Sequence, residues 1–399
     1  MNQDKSIRIA IVGVGNCASS LYQGLHYYGK TGSTLKRQDT SGLMRDDIGG
    51  YRPEHIQVVA AYDIDARKVG KPFAKAIQQP PNCTAFYVIP EDLEQGPIVQ
   101  MGVVLDGVAP HMETYPEQDR FLVATEIHQP SKQEIIAHLK SQKVDLLINY
   151  LPVGSQAATE FYVECCLEAR IHLCNCIPVF IASNTKWEAR FRDRGLVLIG
   201  DDMKSQFGAS ILSQMLEELA TARGHHVRCH IQRNVGGNTD FLNMVDKSRL
   251  ASKRISKENV LRGVRAEQGE RGERAERAER GERGERGERS HYVYAGPSEY
   301  IPYYGDNKIA NIHLEMDGFM GAPVVLDAQL SVIDSPNSAG VVIDAIRYLK
   351  VAAELGICGA LRGPSAFTQK TPPEFISFRE AQIECEALAN RKRTERTNV

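Results

Sequence analysis

The sequence lacks any segment that could cross a membrane. None of its 399 residues belongs to an apolar run of about 18, the length that a transmembrane helix requires. The opening residues MNQDKSIRIAIVGVG lead directly into a short apolar run, without the basic, apolar and small-residue regions of a secretory signal. We therefore expect a cytoplasmic protein with no membrane partner.

Net charge and paired cysteines are also scarce. The 48 Lys and Arg residues are balanced by 50 Asp and Glu residues, which leaves a net charge of −2. Nucleic-acid-binding proteins need a basic excess to neutralise phosphates, so we expect no nucleic-acid partner and a small-molecule ligand instead. The nine cysteines contain no CxxC spacing of the kind that forms structural zinc sites or redox dithiols. We expect all nine thiols to be reduced.

One tract differs from the rest of the chain in composition. Residues 269–289 consist of seven GER or AER triplets, so that every Arg has its own Glu. The tract has no apolar face to bury, and each of its glycines would cost a helix about 1 kcal/mol. We predict that 263–290 is a low-complexity, disordered loop.

The remaining sequence alternates strand-like and helical segments. Apolar runs at 7–15, 55–63, 144–152 and 195–202 are separated by helical patterns such as 158–169, which indicates a parallel sheet. From about residue 204 a helical pattern (205–224) is followed by alternating segments, which are typical of a sheet with one solvated face. A last helical pattern, 341–356, is expected to pack back on the first part of the chain.

The first strand–turn–helix unit carries a dinucleotide fingerprint. Gly13, Gly15 and Ala18 form GxGxxA, in which the first glycine permits the turn, the second allows a pyrophosphate to approach, and the third position keeps helix and strand close. Asp63 ends the second strand, where an acidic side chain can accept hydrogen bonds from ribose hydroxyls. This pattern favours NAD, although Arg67 and Lys68 leave NADP open.

Four further segments combine turn residues with polar side chains. They are NYLPVGS (149–155), GDDMKS (200–205), NVGGNTDFLNM (234–244) and SKRISK (252–257). Three of them also have a purely structural interpretation. The first can be a plain βα loop, the second a helix cap by Asp201 or Asp202, and the lysines of the fourth can be solvated side chains. In a helix, Lys253 and Lys257 would share one face and attract an anion.

Nine segments occur in the order found in one enzyme family. They are GVGNCASSLYQGL, YLPVGS, PVFIAS, GDDMKSQ, NVGGNTDFLNM, SKRISK, GDNK, DSPNSAG and KTPPE. Over nearly its whole length the chain thus resembles the myo-inositol-1-phosphate synthases in their shorter prokaryotic form. The resemblance implies an α/β fold, with a NAD-binding Rossmann domain formed by 1–203 and 335–399, an inserted α+β catalytic and oligomerisation domain at 204–334, and a homotetramer. The GER tract departs from the family pattern, and we expect it to be a tolerated insertion.

The resemblance also assigns the residues of the site. It implies four catalytic lysines, Lys253, Lys257, Lys308 and Lys370, together with Asp240. It implies a cation beside the NAD pyrophosphate, held by Asp202, Asp334 and Ser335. The residues that it places at NAD are Gly13, Gly15, Asn16, Cys17, Ala18, Ser19, Asp63, Tyr150, Pro152, Tyr162, Asp202, Ser205, Asp240 and Lys253.

The implied reaction is a redox-neutral isomerisation. In this family glucose 6-phosphate is oxidised at C5 with NAD, cyclised between C6 and C1, and reduced again to inositol 3-phosphate. Two other functions stay open at this point: a NAD(P)-dependent dehydrogenase of a sugar phosphate or hydroxy acid, and a non-enzymatic NAD-sensing module.

Overall fold

The computed structural model describes residues 5–29, 41–246, 249, 255–256 and 292–391. Lys253, Lys257 and the predicted loop 263–290 lie outside the described residues. None of the helices within the described ranges is long and apolar enough to span a bilayer.

A sheet of seven strands forms the first layer of the fold. Its strands are β1 (Ile7–Val12), β2 (Ile56–Asp63), β3 (Val99–Met101), β4 (Leu146–Asn149), β5 (His172–Asn175), β6 (Val197–Ile199) and β11 (Gly359–Ala360). All of its strand pairs are parallel, and the order is β11-β6-β5-β4-β1-β2-β3. This is the doubly wound Rossmann order, extended by β11 at the β6 edge.

Four strands form the second sheet. They are β7 (His226–Gly236), β8 (Tyr292–Tyr300), β9 (Asn307–Asp317) and β10 (Pro323–Ile333), in the order β10-β9-β7-β8. Strand β9 is antiparallel to both of its neighbours, whereas β7 and β8 are parallel. The alternating segments after residue 204 therefore form a sheet of their own, as their pattern predicted.

Ten α-helices occur in the described ranges. They are α1 (Asn16–Gly29), α2 (Phe73–Ala76), α3 (Lys132–Ser141), α4 (Gln156–Ala169), α5 (Thr185–Arg192), α6 (Ala209–Ala222), α7 (Thr239–Asn243), α8 (Asp334–Glu354), α9 (Arg362–Thr368) and α10 (Phe378–Ala389). Short 3₁₀ turns occupy Pro53–His55, Pro90–Asp92, Pro110–Thr114, Pro302–Tyr304 and Phe319–Gly321.

Helices cover both faces of the parallel sheet. On one face α1 and α8 contribute Leu21 and Ile346, which pack with Ile9 of β1. On the other face α3, α4 and α5 pack against side chains such as Leu147 and Leu198. The strands are therefore buried on both sides, which explains why they read as nearly continuous apolar runs. Helix α6 lies on the second sheet, against β7 and β9.

Two predicted helix starts were wrong. Helix α8 begins at Asp334 and not at 341, because Pro336 in its first turn needs no intrahelical hydrogen-bond acceptor for its nitrogen. Helix α6 begins at Ala209 with Gly208 as its N-cap, so neither Asp201 nor Asp202 caps it. Asp201 and Asp202 therefore lie in the segment after β6, and Asp334 lies at the junction of β10 and α8.

Candidate active site

A large cavity lies at the carboxyl ends of the parallel strands and reaches the second sheet. Ligands of open α/β sheets bind at this edge. Residues from both sheets form the wall. Among them are Gly13, Gly15, Asn16, Cys17, Asp63, Tyr150, Pro152, Tyr162, Asp202, Ser205, Gln232, Asn234, Asn238, Asp240, Lys308, Asp334, Ser335 and Lys370. The structure thus brings together most of the described residues that the sequence assigned to NAD and to catalysis.

The glycine turn after β1 is shaped for close approach by a ligand. Gly13 has φ +91°, and a Cβ there would lie 2.5 Å from the carbonyl oxygen of Tyr150. At Gly15 a Cβ would meet no atom of the described protein within 4 Å, because this position opens into the cavity. Helix α1 follows at Asn16, so its N-terminal N–H groups point toward the open space. This arrangement fits a pyrophosphate.

Asp63 is fixed in position by the backbone. Its Oδ2 accepts a hydrogen bond of 2.7 Å from the N–H of Val14, and its Oδ1 accepts from the N–H groups of Ile64 (2.7 Å) and Asp65 (2.8 Å). The carboxylate also lies in the cavity wall. It therefore joins the glycine turn to the end of β2, at the position where Rossmann enzymes bind the adenosine ribose.

The two basic residues after Asp63 are engaged elsewhere. Arg67 forms a forked ion pair with Asp65 and donates to the carbonyl oxygens of Glu117 and Arg120. Lys68 is buried, and its Nζ donates to the carbonyl of Val14 (2.8 Å) and to Asn82 (2.9 Å). Both cations thus stabilise the turn and its surroundings. Lys68 also lines the cavity, but its ammonium group is bound to Val14 and Asn82. This favours NAD over NADP, because a 2′-phosphate needs a basic side chain that can turn toward it.

Two tyrosines and a cysteine complete this part of the wall. The hydroxyl of Tyr150 is buried and has no hydrogen-bond partner among the described residues, so it can donate to a ligand. The hydroxyl of Tyr162 accepts from the N–H of Val103 at 3.3 Å. Burial raises the pKa of both tyrosines, and that of Cys17 to about 12, so these groups stay protonated. An orphaned hydroxyl beside an open glycine turn fits a bound dinucleotide.

Two residues predicted at NAD do not line the cavity. Ala18 is fully buried between α1 and the sheet, in the spacing role that the fingerprint gives it. The hydroxyl of Ser19 is buried and accepts from the amide of Gln23 at 3.2 Å. Helix geometry turns both side chains toward the core, and the assignment of these two residues to NAD stays a prediction.

Lys370 is positioned by a short antiparallel ladder. The segment after β6 pairs with the segment after α9 through reciprocal backbone bonds between Asp201 and Thr371 (2.8 and 3.0 Å) and a 2.7 Å bond from the N–H of Lys370 to the carbonyl of Asp202. The Nζ of Lys370 then donates to Oδ1 of Asp202 at 2.9 Å and to the carbonyl of Met203 at 2.7 Å. The two motifs GDDMKS and KTPPE are therefore one structural unit.

The SKRISK segment is attached to this same unit. Of residues 252–257 the structure describes Ile255 and Ser256, both in helical conformation. The hydroxyl of Thr371 donates to the hydroxyl of Ser256 at 3.0 Å, and both side chains are buried. Ser256 precedes Lys257 directly, so the segment with two of the predicted lysines meets the segment with Lys370.

Asp306 connects the other motifs, and sequence reasoning missed it. Its carboxylate accepts from the hydroxyl of Ser335 (2.8 Å) and from the amide of Asn238 (3.1 Å). Asn238 caps α7, which carries Asp240 in its first turn. Burial and the neighbouring Asp334 raise the pKa of Asp306. Its place in GDNK, two residues before Lys308, was the one available signal.

The three residues predicted to hold a cation meet at the cavity, with lysines beside them. Asp202 accepts from Lys370, and Asp334 forms an ion pair with Lys308. No cluster of three His, Cys, Asp or Glu side chains with metal-binding geometry occurs in the described part of the chain. Two carboxylates and a hydroxyl suit a hard cation chemically, and each lysine binds the Oδ1 atom of its aspartate.

Comparisons with known proteins agree on one family. The family model for myo-inositol-1-phosphate synthase matches residues 208–335. The inositol-3-phosphate synthase of Mycolicibacterium smegmatis is 38% identical over 388 residues, which cover 96% of this chain and 97% of that protein. The solved structure of Ari2 is 30% identical, with a TM-score of 0.71 and coverage of 96% and 99%. The inositol-3-phosphate synthase of Caenorhabditis elegans has the same fold at 15% identity, with a TM-score of 0.71 and coverage of 98% and 86%.

Proposed function

Because this chain belongs to the myo-inositol-1-phosphate synthase family, we propose that it converts D-glucose 6-phosphate to 1D-myo-inositol 3-phosphate with NAD as a regenerated cofactor. The observation that carries the proposal is one shared cavity. The glycine turn and Asp63 line it from the parallel sheet, while Lys308, Lys370 and Asp240 line it from the strand-end loops and the second sheet. The full-length similarity to synthases disfavours the dehydrogenase alternative.

The conversion makes specific demands on the site. The sugar must be oxidised at C5, deprotonated at C6, closed by a bond from C6 to the C1 aldehyde, and reduced again at C5. When bound, NAD supplies the reversible oxidation. The glycine turn would hold its pyrophosphate, Asp63 its ribose, and Tyr150, Tyr162 and Ser205 the neighbouring wall.

The lysines supply positive charge where the sugar becomes negative. Lys308 and Lys257 are proposed to bind the phosphate and the developing C1 oxyanion, since ammonium donors stabilise such charge in a water-poor site. Lys370 and Lys253 are proposed to face the C5 oxygen, where Nζ donates a proton to the oxygen and takes one from it. The ion pairs with Asp334 and Asp202 hold Nζ of Lys308 and Lys370 at the cavity wall. To take the proton of the C5 hydroxyl, Lys370 must act as a neutral amine, and it returns that proton when C5 is reduced again.

A cation at Asp202, Asp334 and Ser335 is part of the proposal. It would neutralise the two carboxylates and release the lysine ammonium groups toward the substrate. The measurement is NAD affinity and turnover after chelation, followed by the return of individual monovalent and divalent ions. Unchanged affinity and turnover after complete ion removal would exclude the cation.

We also propose a homotetramer. Helix α6 exposes Met215 and Leu219, and the β9–β10 turn exposes Phe319 and Met320 at the end of the sheet where α6 ends. Apolar side chains clustered in this way are typical of subunit contacts. Light scattering should report four subunits for the wild type, fewer for Leu219→Glu, and four for Tyr87→Glu, which changes an equally exposed side chain on the first sheet's side of the molecule.

A cytoplasmic location belongs to the same proposal. All nine cysteines are free thiols in the structure, and five of them are buried. Reduced thiols persist in the cytoplasm, whereas oxidising compartments favour disulfides.

The test of the reaction is one incubation with glucose 6-phosphate and a catalytic amount of NAD. We expect inositol phosphate by phosphorus NMR, with no net rise in absorbance at the NADH wavelength. Stoichiometric NADH without inositol phosphate would identify a dehydrogenase. NAD binding without any product would identify the sensing module.

A further inference from the structure

Helix α6 buries two polar side chains against the second sheet. Ser213 and Glu217 are buried against β7, whereas Met215 and Leu219, on the opposite side of the helix, are 41% and 59% exposed. The apolar side chains of α6 that pack toward this sheet are Ala209, Leu212, Leu216 and Ala220, so the two polar groups lie within an otherwise apolar contact. The buried polar groups therefore need a reason of their own.

Five buried side chains form a continuous hydrogen-bonded chain from α6 to the cavity. The contacts are Glu217 Oε1 to His230 Nδ1 (2.7 Å), His230 Nε2 to Ser213 Oγ (3.0 Å), Ser213 Oγ to Gln232 Oε1 (3.0 Å), Gln232 Nε2 to Asn234 Oδ1 (3.2 Å), and Asn234 Nδ2 to the carbonyl oxygen of Gly296 (3.0 Å). Each of the five side chains is at most 2% exposed. Gln232 and Asn234 also line the cavity.

The carbonyl of Gly296 determines which group donates and which accepts at every step of this hydrogen-bonded chain. A carbonyl only accepts, so Asn234 must present its Nδ2 to it, and its Oδ1 accepts from Gln232. The Oε1 of Gln232 must then accept from the hydroxyl of Ser213. Because Ser213 donates its only proton there, its oxygen accepts from an N–H at Nε2 of His230. If the imidazole accepted at Nε2, this order of donors and acceptors could not be completed.

The Glu217–His230 pair therefore holds a proton in addition to the one at Nε2. That proton lies between Nδ1 and Oε1, either as imidazolium with carboxylate or as imidazole with carboxylic acid. The strand partners of His230 are Val293 on β8 and Leu314 on β9, and both are uncharged. Within the described residues Glu217 is the ion-pair partner of His230.

We propose that Glu217, His230 and Ser213 are positioning residues, which fix the direction in which the amides of Gln232 and Asn234 face the sugar phosphate. This inference rests on the proposed function, which names that substrate. Amides that cannot rotate offer donors and acceptors at permanent positions, so the hydroxyls of a polyol phosphate meet a preorganised wall. Ser213 and Glu217 of α6 thus orient groups of the site without lining the cavity themselves.

Ser213→Ala interrupts the hydrogen-bonded chain of side chains at its middle by removing one oxygen atom. Gln232 is then free to turn, and we expect KM for glucose 6-phosphate to rise roughly tenfold, as for the loss of one oriented hydrogen bond, with NAD affinity unchanged. Ser365→Ala is the matched control, since this serine is also buried but lies outside the cavity wall. The single variant Glu217→Gln should retain the hydrogen-bonded chain and the wild-type KM, because its side-chain amide can donate to Nδ1 of His230 while Nε2 keeps its proton.

Nitrogen NMR of histidine-labelled protein tests the direction without activity. We expect one ring, identified by its loss in His230→Gln, whose Nε2 carries a proton in the wild type because it donates to Ser213, and whose Nε2 loses this acceptor in Ser213→Ala. An unprotonated Nε2 in the wild type would overturn the inference, and so would an unchanged KM in Ser213→Ala. A wild type that makes no inositol phosphate would instead overturn the proposed function, and the NMR result would still decide the direction of the chain.

Discussion

The two sheets present different parts of themselves to the cavity. The parallel sheet buries apolar side chains on both faces and contributes only its strand ends and the loops after them, such as the glycine turn and Asp63. The four-stranded sheet contributes a face, because Gln232 and Asn234 stand on β7 itself. Loops can be reshaped around a cofactor, whereas residues on a strand are fixed by its alternation. We therefore expect the first region to bind the cofactor and the second to provide rigid contacts to the substrate.

The largest effect should come from Lys370, where the two regions meet. Lys370→Met removes an ammonium group from the cavity, and we expect turnover to fall by about 10²- to 10³-fold, as when a charge-stabilising donor is lost. NAD affinity should stay close to the wild-type value, because the glycine turn and Asp63 are untouched. Rapid-quench measurement of inositol phosphate and calorimetric titration with NAD separate the two quantities.

Lys350→Met is the control for this substitution. Lys350 also donates to an aspartate at 2.9 Å, Asp145, but neither residue lines the cavity. A similar loss of turnover in both variants would mean that the effect is structural and that the division between the regions is wrong.

Acid should weaken the parallel sheet through His172. Its Nδ1 accepts from the N–H of Val197 at 3.0 Å, and burial lowers its pKa to about 4. Between pH 4 and about 6.5 the unfolded chain binds the proton and the folded chain does not. Stability is therefore complete above pH 6.5 and falls as the pH is lowered toward 4, by up to about 3 kcal/mol.

Urea unfolding at several pH values checks this loss in the wild type and in His172→Asn. In this pH range the unfolding free energy of the variant should depend less steeply on pH, because the histidine contribution is absent. Equal slopes in both proteins would contradict the prediction. The result also tests a difference between the two sheets. His172 of the parallel sheet must be neutral, whereas the Glu217–His230 pair of the second sheet holds a proton between its two side chains.

The two glycines of the turn should separate folding from cofactor binding. Gly13→Ala places a side chain at φ +91° and against the carbonyl of Tyr150, so we expect a loss of about 1–3 kcal/mol in unfolding free energy. Gly15→Ala adds a methyl group where the protein itself has open space. It should leave the melting temperature unchanged and weaken NAD by about tenfold or more, since the methyl group occupies the pyrophosphate position. Equal melting temperatures for the two variants would refute this distinction.

The smallest effect is expected at Asp63. Asp63→Asn removes one charged acceptor from the ribose position and should weaken NAD about tenfold, with less effect on NADP. Asp65→Asn is the control, because Asp65 is held by Arg67 and does not line the cavity. Matching losses in both variants would place the effect in the loop and not at the ribose.

Local patterns predicted the parts of the molecule that local sequence determines. The β1–turn–α1 unit, the end of β2 at Asp63 and the alternation of β7 followed from spacing, and the α/β fold and family resemblance are confirmed. The alternation of β7 also held a signal that went unused: His230, Gln232 and Asn234 share one face of the strand.

Contacts between distant segments could not be predicted in this way. The ladder that joins Asp201 to Thr371 links residues 170 positions apart, and strand β11 is only two residues long. The partners of Ser213 and Glu217 were equally hidden, because the pattern of α6 does not show that His230 and Gln232 lie opposite them. Packing decides such cases, and local propensity does not.

The return of α8 to the parallel sheet has a consequence for synthesis of the protein. Ile343, Ile346 and Leu349 belong to the helix that covers one face of strands β1, β5 and β6, yet they are translated only after the whole second sheet. A growing polypeptide must therefore leave the ribosome with the part of that face that α8 covers still exposed and prone to aggregation, while α1 covers the rest. The nascent protein should depend on chaperones until α8 emerges.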